Sequence, residues 1–250
     1  MSERELASAR SYWKRKELRA GRWSRYVEVK EMSLETVTAD AIENGLVDGI
    51  VAVLGTGKEA DVYLGTWNGA YLVLKVYRLH RTPHKKKSMI GYAVDRMGAI
   101  AAREFTILQK AYRASVPVPT PARRADNMFT MRFLGDEAKA PLLKDVTLDD
   151  PERVAGLAVE LVEKLLDACI VHGDLSEYNL LLFDDRLFVI DFPQAIDFSS
   201  RMDRHLKIEE AKPLLHRDLK NLENHFARYD VQLDAEQEYG RLVAKLDSPR

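Results

Sequence analysis

Asp174 and Asn179 stand five residues apart in "HGDLSEYN", and two apolar runs follow, "LLLF" and "LFVID", the second ending in Asp191. Phosphoryl transfer needs groups in this pattern. One carboxylate orients the nucleophile and receives its proton, while an amide and a later carboxylate hold magnesium. A second stretch, "LLHRDLKNLENHF" at 214–226, looks alike. There the position five after Asp218 is Glu223, Asn224 falls one residue late, and no β-like run ending in aspartate follows. Leu215, Leu219, Leu222 and Phe226 instead mark one face of a helix. Residues 172–179 are therefore expected to carry the chemistry, and Asp218 to be incidental to it.

A glycine-rich turn supplies the other half of such a site. In "GTGKEADVY", Gly55, Gly57, Ala60 and Val62 fit G-x-G-x-x-A-x-V between two β-like runs, with Lys58 inside the turn. Glycines there let the backbone approach phosphates, and Val62 would roof an adenine. The turn is not a Walker A loop, because Ala52 replaces its first glycine and Glu59 its Ser/Thr. In the next run, "AYLVLKVY", alternation sets Val73 and Lys75 on one face and Leu72, Leu74 and Val76 on the other. A lysine in so apolar a strand is costly unless an anion meets it. ATP phosphates and Glu104, on the long helix that follows, are the expected anions.

These groups need elements to hold them. "SLETVTADAIENGLV" (33–47) reads as a helix capped by Ser33, with Leu34, Ile42 and Leu46 among its apolar positions. Strands are expected at 50–54, 61–65, 70–77, 128–134, 180–183 and 187–191, and a helix over about 91–113 that stops at "ASVPVPTP". Strands first and helices later, without a repeat, give an α+β chain in two lobes. The expected division is a helical, basic N-terminal extension at 1–48, a β-rich ATP-binding lobe at 49–133 and a mainly helical catalytic lobe at 134–250.

Composition bounds the rest. The 250 residues, 46% hydrophobic, 31% charged and carrying a net charge of −1, describe an ordinary globular protein rather than a disordered or fibrous one. No apolar run reaches 18 residues and the N-terminus is charged, so neither a membrane span nor a secretory signal is expected. The single cysteine, Cys169, fits a reducing cytoplasm and, within "LLDACIV", reads as a buried packing residue. Residues 10–30 interleave eight Lys/Arg with Tyr12, Trp13, Trp23 and Tyr26. That is the make-up of an RNA-contacting arm, or of the more usual solvated amphipathic helix.

"GTGKEADVY", "HGDLSEYNLL" and "IDFPQ" together resemble the RIO kinases, atypical members of the protein-kinase fold. The likeness runs from about residue 30 to 230 and takes in "SVPVP", "APLLKDV" and "HRDLKNLENHF", the last similar to a late helix of that family. No winged-helix domain is expected before the kinase-like region, which resembles the subgroup without one, although the wording "IDFPQ" is nearer the subgroup that has it. The resemblance implies a two-lobed kinase-like fold with Asp174 as catalytic base and Asn179 and Asp191 on Mg2+, with Mn2+ as an alternative. It further implies that Lys75, paired to Glu104, binds ATP phosphates together with the glycine turn (Gly55, Gly57, Lys58). Val62 and Val73 would enclose the adenine, Met131 would be the gatekeeper, and the backbone of Arg132 and Leu134 would meet the base. It implies kinase or ATPase activity in maturation of the small ribosomal subunit, with the pre-ribosomal particle and its RNA as partners through residues 10–30.

Typical protein kinases place a glycine after Asp-Phe and then an extended activation segment. Here Pro193 takes the glycine's position and no A-P-E motif follows, so poor activity on generic peptides is expected. The resemblance also implies that Asp191 can accept the γ-phosphoryl group itself. Two alternatives share the motifs: a small-molecule phosphotransferase of the aminoglycoside or choline kinase type, and a non-catalytic ribosome-binding pseudokinase. The first lacks an insert or acidic pocket between 134 and 171, and the second is disfavoured because every catalytic position is filled.

Overall fold

Asn68 and Gly69, in "TWNGAY", both take positive φ (48° and 78°), as a two-residue hairpin matched to strand twist requires. The computed structural model in which they lie describes residues 12–15, 19–21, 24–26, 29–78, 90–136 and 138–247, with the side chains of 12–32 and 90–95 excepted. It divides into two compact units. One runs to Phe105 and takes in Pro121–Phe133, and the other comprises Thr106–Thr120 and Leu134–Arg250.

In chain order the first unit begins with four short strands, β1 (Tyr12–Arg15), β2 (Arg19–Gly21), β3 (Ser24–Tyr26) and β4 (Val29–Met32). β1 pairs antiparallel with β4 and β2 with β3. Among the described residues these strands stand where the N-terminal extension, 1–48, is expected to be helical; residues 1–11 lie outside the described residues. Aromatic and β-branched residues favour strands, and Gly21 at the end of β2 allows a tight reversal. The helix among the described residues of that range is α1 (Leu34–Glu43), where the Ser33 hydroxyl accepts from Thr36 N at 3.3 Å. Val37 and Ala41 are its buried residues, whereas Ile42 is 45% exposed. At 100° per residue Ile42 is turned about 80° from Leu34, off the inward stripe.

The main sheet is antiparallel, in the order β5 (Gly49–Thr56), β6 (Ala60–Trp67), β7 (Ala70–Tyr77), β9 (Met128–Arg132), β8 (Pro121–Ala125). Tyr63, Leu72, Leu74, Val76 and Met128 lie in one core cluster with Val37, Ala41, Leu46 and Val47 of the α1 region. Gly65 in β6 is needed for this packing, since a Cβ there would come within 2.7 Å of Val47 Cγ1. The long helix α2 (Ile90–Arg113) contributes residues to both units, with the division after Phe105.

The second unit is mainly helical: α3 (Pro151–Asp167), α4 (Arg204–Phe226) and α5 (Ala235–Asp247). Asp150 caps α3, accepting from Arg153 N at 3.0 Å, and a proline follows it at the first helical position. Cys169, after α3, is half-buried rather than buried. It takes φ 58°, and an Arg204 amino group lies 3.7 Å from its sulfur. β10 (Ile170–Val171) pairs with β13 (Ile196–Asp197), and β11 (Leu180–Phe183) forms a hairpin with β12 (Arg186–Val189). Residues 214–226 are helical as expected, with Leu215, Leu219, Leu222 and Phe226 buried. Among the described residues no helix is long and apolar enough to cross a membrane.

Candidate active site

The first unit holds the glycine turn and the lysine. Gly57 N donates to Ala60 O at 2.9 Å, closing the turn between β5 and β6, and Arg78 N donates to Glu59 O at 2.8 Å. Gly55, Gly57 and Lys58 are exposed, and a Cβ on Gly55 would meet nothing within 4 Å. Beneath the turn, the Arg78 guanidinium donates to Gly57 O and lies 3.2 Å from the fully buried Asp61 carboxylate. Burial pushes the Asp61 carboxyl up to about 6, against the pull of Arg78. Arg78 thus ties the turn's carbonyl to a buried anion, a link the motif alone does not reveal.

Register puts the expected nucleotide residues on one face. Val62 is opposite Lys75, and Val73 opposite Met131. Directly opposed residues share a face of the sheet, so these four lie together, away from the face packed on α1. Lys75 is 7% exposed and Glu104 2%, and Lys75 Nζ donates to Glu104 Oε1 at 2.8 Å. The Tyr77 hydroxyl donates to the other Glu104 oxygen, and Lys75 Nζ sits 5.2 Å from the Tyr77 ring centre. Arg132 is exposed, while Leu134, in the second unit, is buried and its carbonyl accepts from Ala140 N at 2.8 Å.

The second unit holds the loop "HGDLSEYN" between β10 and β11. Asn179 Nδ2 donates to Asp174 O at 2.7 Å, closing the loop on itself, and Ile190 N donates to Asn179 O at 3.0 Å, bringing Asp191 alongside. His172 braces both ends: Asp174 N donates to its Nδ1 at 3.3 Å, and Nε2 is 3.1 Å from Ile190 O. The first contact makes Nδ1 an acceptor, which leaves the proton on Nε2. Asp191 takes φ 70° and is exposed. Burial raises the Asp174 pKa, the Arg217 charge opposes the rise, and the Asp191 charge adds to it.

Asp218 is not incidental. It is 2% exposed, and its two oxygens accept from Gly173 N and Leu175 N, each at 2.8 Å. Arg217 donates to Gly173 O, and Asn221 Nδ2 donates to Leu175 O at 2.9 Å. The helical "RDLKN" therefore grips the backbone on both sides of Asp174. Burial pushes the Asp218 carboxyl up to about 7, against the two N–H donors and Arg217. The sequence carried a sign of this. Asp218 falls on the same helical stripe as Leu215, Leu219 and Leu222, and a lone carboxylate on an apolar stripe needs partners. Gln194 was also missed: its Nε2 donates to Asp174 Oδ2 at 3.3 Å, and its Oε1 accepts from Arg217 at 3.1 Å.

Comparison with known proteins agrees with these motifs. The family model for the RIO domain matches residues 61–239. RIO-type serine/threonine-protein kinase Rio1 of Haloferax volcanii is 32% identical over 212 residues, which are 79% of this chain and 70% of that protein. Its namesake from Methanocaldococcus jannaschii is 30% identical over 212 residues, 80% of this chain and 70% of that protein. Serine/threonine-protein kinase RIO3 of Caenorhabditis elegans is 32% identical over 205 residues, 75% of this chain but only 38% of that longer protein. Among solved structures, the Rio2 kinase of Chaetomium thermophilum in an ADP/Mg2+-phosphoaspartate complex aligns with TM-score 0.63 at 20% identity. That alignment covers 94% of this chain and 73% of the other. The fold is thus the two-lobed, kinase-like α+β fold, with only residues 192–203 joining Asp191 to α4. With its RIO domain and these relatives, the chain belongs to the RIO family of serine/threonine protein kinases, a family of phosphotransferases.

Proposed function

We propose that this chain is an ATP- and magnesium-dependent RIO-type kinase or ATPase that uses Asp174 as its base. The observation that carries this reading is the braced loop of residues 172–179, which sets the Asp174 carboxylate close enough to Asp191 for the two charges to interact. Asn179 and Asp191 offer oxygen donors of the hard type that Mg2+ prefers, so the donor chemistry fits the ion. Bound there, Mg2+ would neutralise charge on the phosphates. Asp174 would orient the acceptor hydroxyl or water and take its proton. Lys75, steadied by Glu104, would bind phosphate oxygens, with the Gly55–Gly57 turn and Lys58 beside them. Val62, Val73 and Met131 would enclose the adenine, and the backbone of Arg132 and Leu134 would meet its edge.

Family membership supports a finer reading as well: action on the maturing small ribosomal subunit, in the reducing cytoplasm to which the single cysteine points. Residues 10–30 would contact its RNA; the side chains of that arm lie outside the described residues. The test is ATP turnover with magnesium, measured alone, with a generic peptide, and with purified immature small subunits. Turnover that needs magnesium, is poor on the peptide and responds to the particles supports both readings. Turnover without magnesium, or none under any condition, overturns the enzymatic one.

A further inference from the structure

Pro193 stands where a typical protein kinase has glycine, and the chain there makes a β-turn. Ala195 N donates to Phe192 O at 3.1 Å, with Pro193 at the turn's second position and Gln194 at its third. Proline suits the second position because its φ is already near −65°. The turn leads into β13, whose partner β10 leads into Gly173, with Val171 opposite Ile196. The two segments continue side by side beyond the strand pair. A Cβ on Gly173 would lie 2.9 Å from Gln194 O, so glycine at 173, with φ 80°, is what allows this approach. Gln194 is thereby delivered next to Asp174.

We infer that Gln194 is a positioning residue for Asp174, an inference that rests on Asp174 being the base. Its Nε2 holds Asp174 Oδ2 at 3.3 Å while its Oε1 accepts from Arg217 at 3.1 Å. The amide can sit only one way round, because a guanidinium offers donors alone and an ionised carboxylate acceptors alone. Arg217 is held in turn by Gly173 O. The chain Arg217–Gln194–Asp174 fixes the rotation of the Asp174 carboxylate and leaves Oδ1 as the oxygen that receives the proton. Glutamate at 194 could keep the bond to Arg217 but would set an acceptor against an acceptor. Asparagine is one methylene too short to span both partners. Gln194 is exposed, so its removal takes no packing from the core.

The test compares steady-state ATP turnover by the full chain carrying Gln194→Met or Gln194→Glu, each made in wild type and in Asp174→Asn. Both substitutions should lower kcat about tenfold, the scale of one hydrogen bond to a charged group, with KM for ATP and the melting temperature unchanged. In the Asp174→Asn background neither should lower it further, because the group Gln194 serves is gone. A kcat within twofold of wild type for either variant overturns the inference, as does the same fall in both backgrounds. If Asp174→Asn alone leaves turnover intact, it is the reading of Asp174 as base that fails.

Discussion

Asp218→Asn keeps the shape of the side chain and changes only what it can accept. In the wild type one oxygen serves Gly173 N and the other Leu175 N, both at 2.8 Å and both buried. Asparagine has one acceptor, so its amide nitrogen must face an N–H, and one of the two backbone donors is left without a partner. An unsatisfied buried donor costs about 1–3 kcal/mol. If that cost falls on the loop's working geometry, ATP turnover drops about 5- to 150-fold, since 1.36 kcal/mol is tenfold in rate. The pH dependence of stability should change too. The folded Asp218 carboxyl holds its proton up to about 7, whereas an ordinary aspartate titrates at 3.8. Between these values the unfolded chain has released a proton that the folded chain keeps, so folding stability falls as pH rises through the window. The fall is on the order of 4 kcal/mol in the wild type and absent from this site in the variant. The assays are turnover with magnesium at pH 8, and denaturant unfolding at pH 4 and pH 8. Turnover within twofold of wild type, with an unchanged pH dependence of unfolding, would refute the reasoning and return Asp218 to a bystander of the loop.

Four further outcomes are expected. Asp174→Asn should lower turnover at least ~100-fold with the melting temperature unchanged, the scale of a positioned base; normal turnover would remove Asp174 from that role. Lys75→Met should weaken turnover far more than nucleotide binding, and should destabilise the fold by up to about 3 kcal/mol because Glu104 loses its buried cation. Titration of ATP binding and chemical unfolding check the two effects separately. Deleting residues 10–30 should weaken binding to ribosomal RNA and flatten its dependence on salt while ATP turnover persists; unchanged binding at low salt would end the case for an RNA-contacting arm. Incubation with γ-labelled ATP and an acid quench should trap an acyl phosphate on Asp191, released by hydroxylamine and absent from Asp191→Ala. Label that resists hydroxylamine and maps to serine would point to ordinary autophosphorylation instead.

The parts of this molecule that could be read from sequence are those whose cause is local. β6 and β7 announce themselves by alternation and by Asn68-Gly69 between them, and Lys75 stands out as a charge inside an apolar strand that must find an anion. β8 (Pro121–Ala125) escaped notice because it is an edge strand that opens on proline and carries two arginines, which leaves little apolar pattern to detect. In the basic arm, strand-favouring aromatics interleaved with Lys and Arg suit a short strand as well as a helix face, so the helix expected there gives way to strands at the described positions. The loop-like stretch at 214–226 failed for a different reason. Its spacing excludes a second catalytic loop and its periodicity predicts the helix, yet neither says why an aspartate should sit on that helix's buried stripe. The reason is 43 to 45 residues away, in the backbone N–H groups of Leu175 and Gly173. Gln194 is the same case: its partners Asp174 and Arg217 are 20 and 23 residues off, joined to it through the β10–β13 pair and α4. Spacing rules recognise groups that act together along the chain. Groups that hold one another across it are recognised only by asking what a buried charge or an unexplained amide must be bonded to.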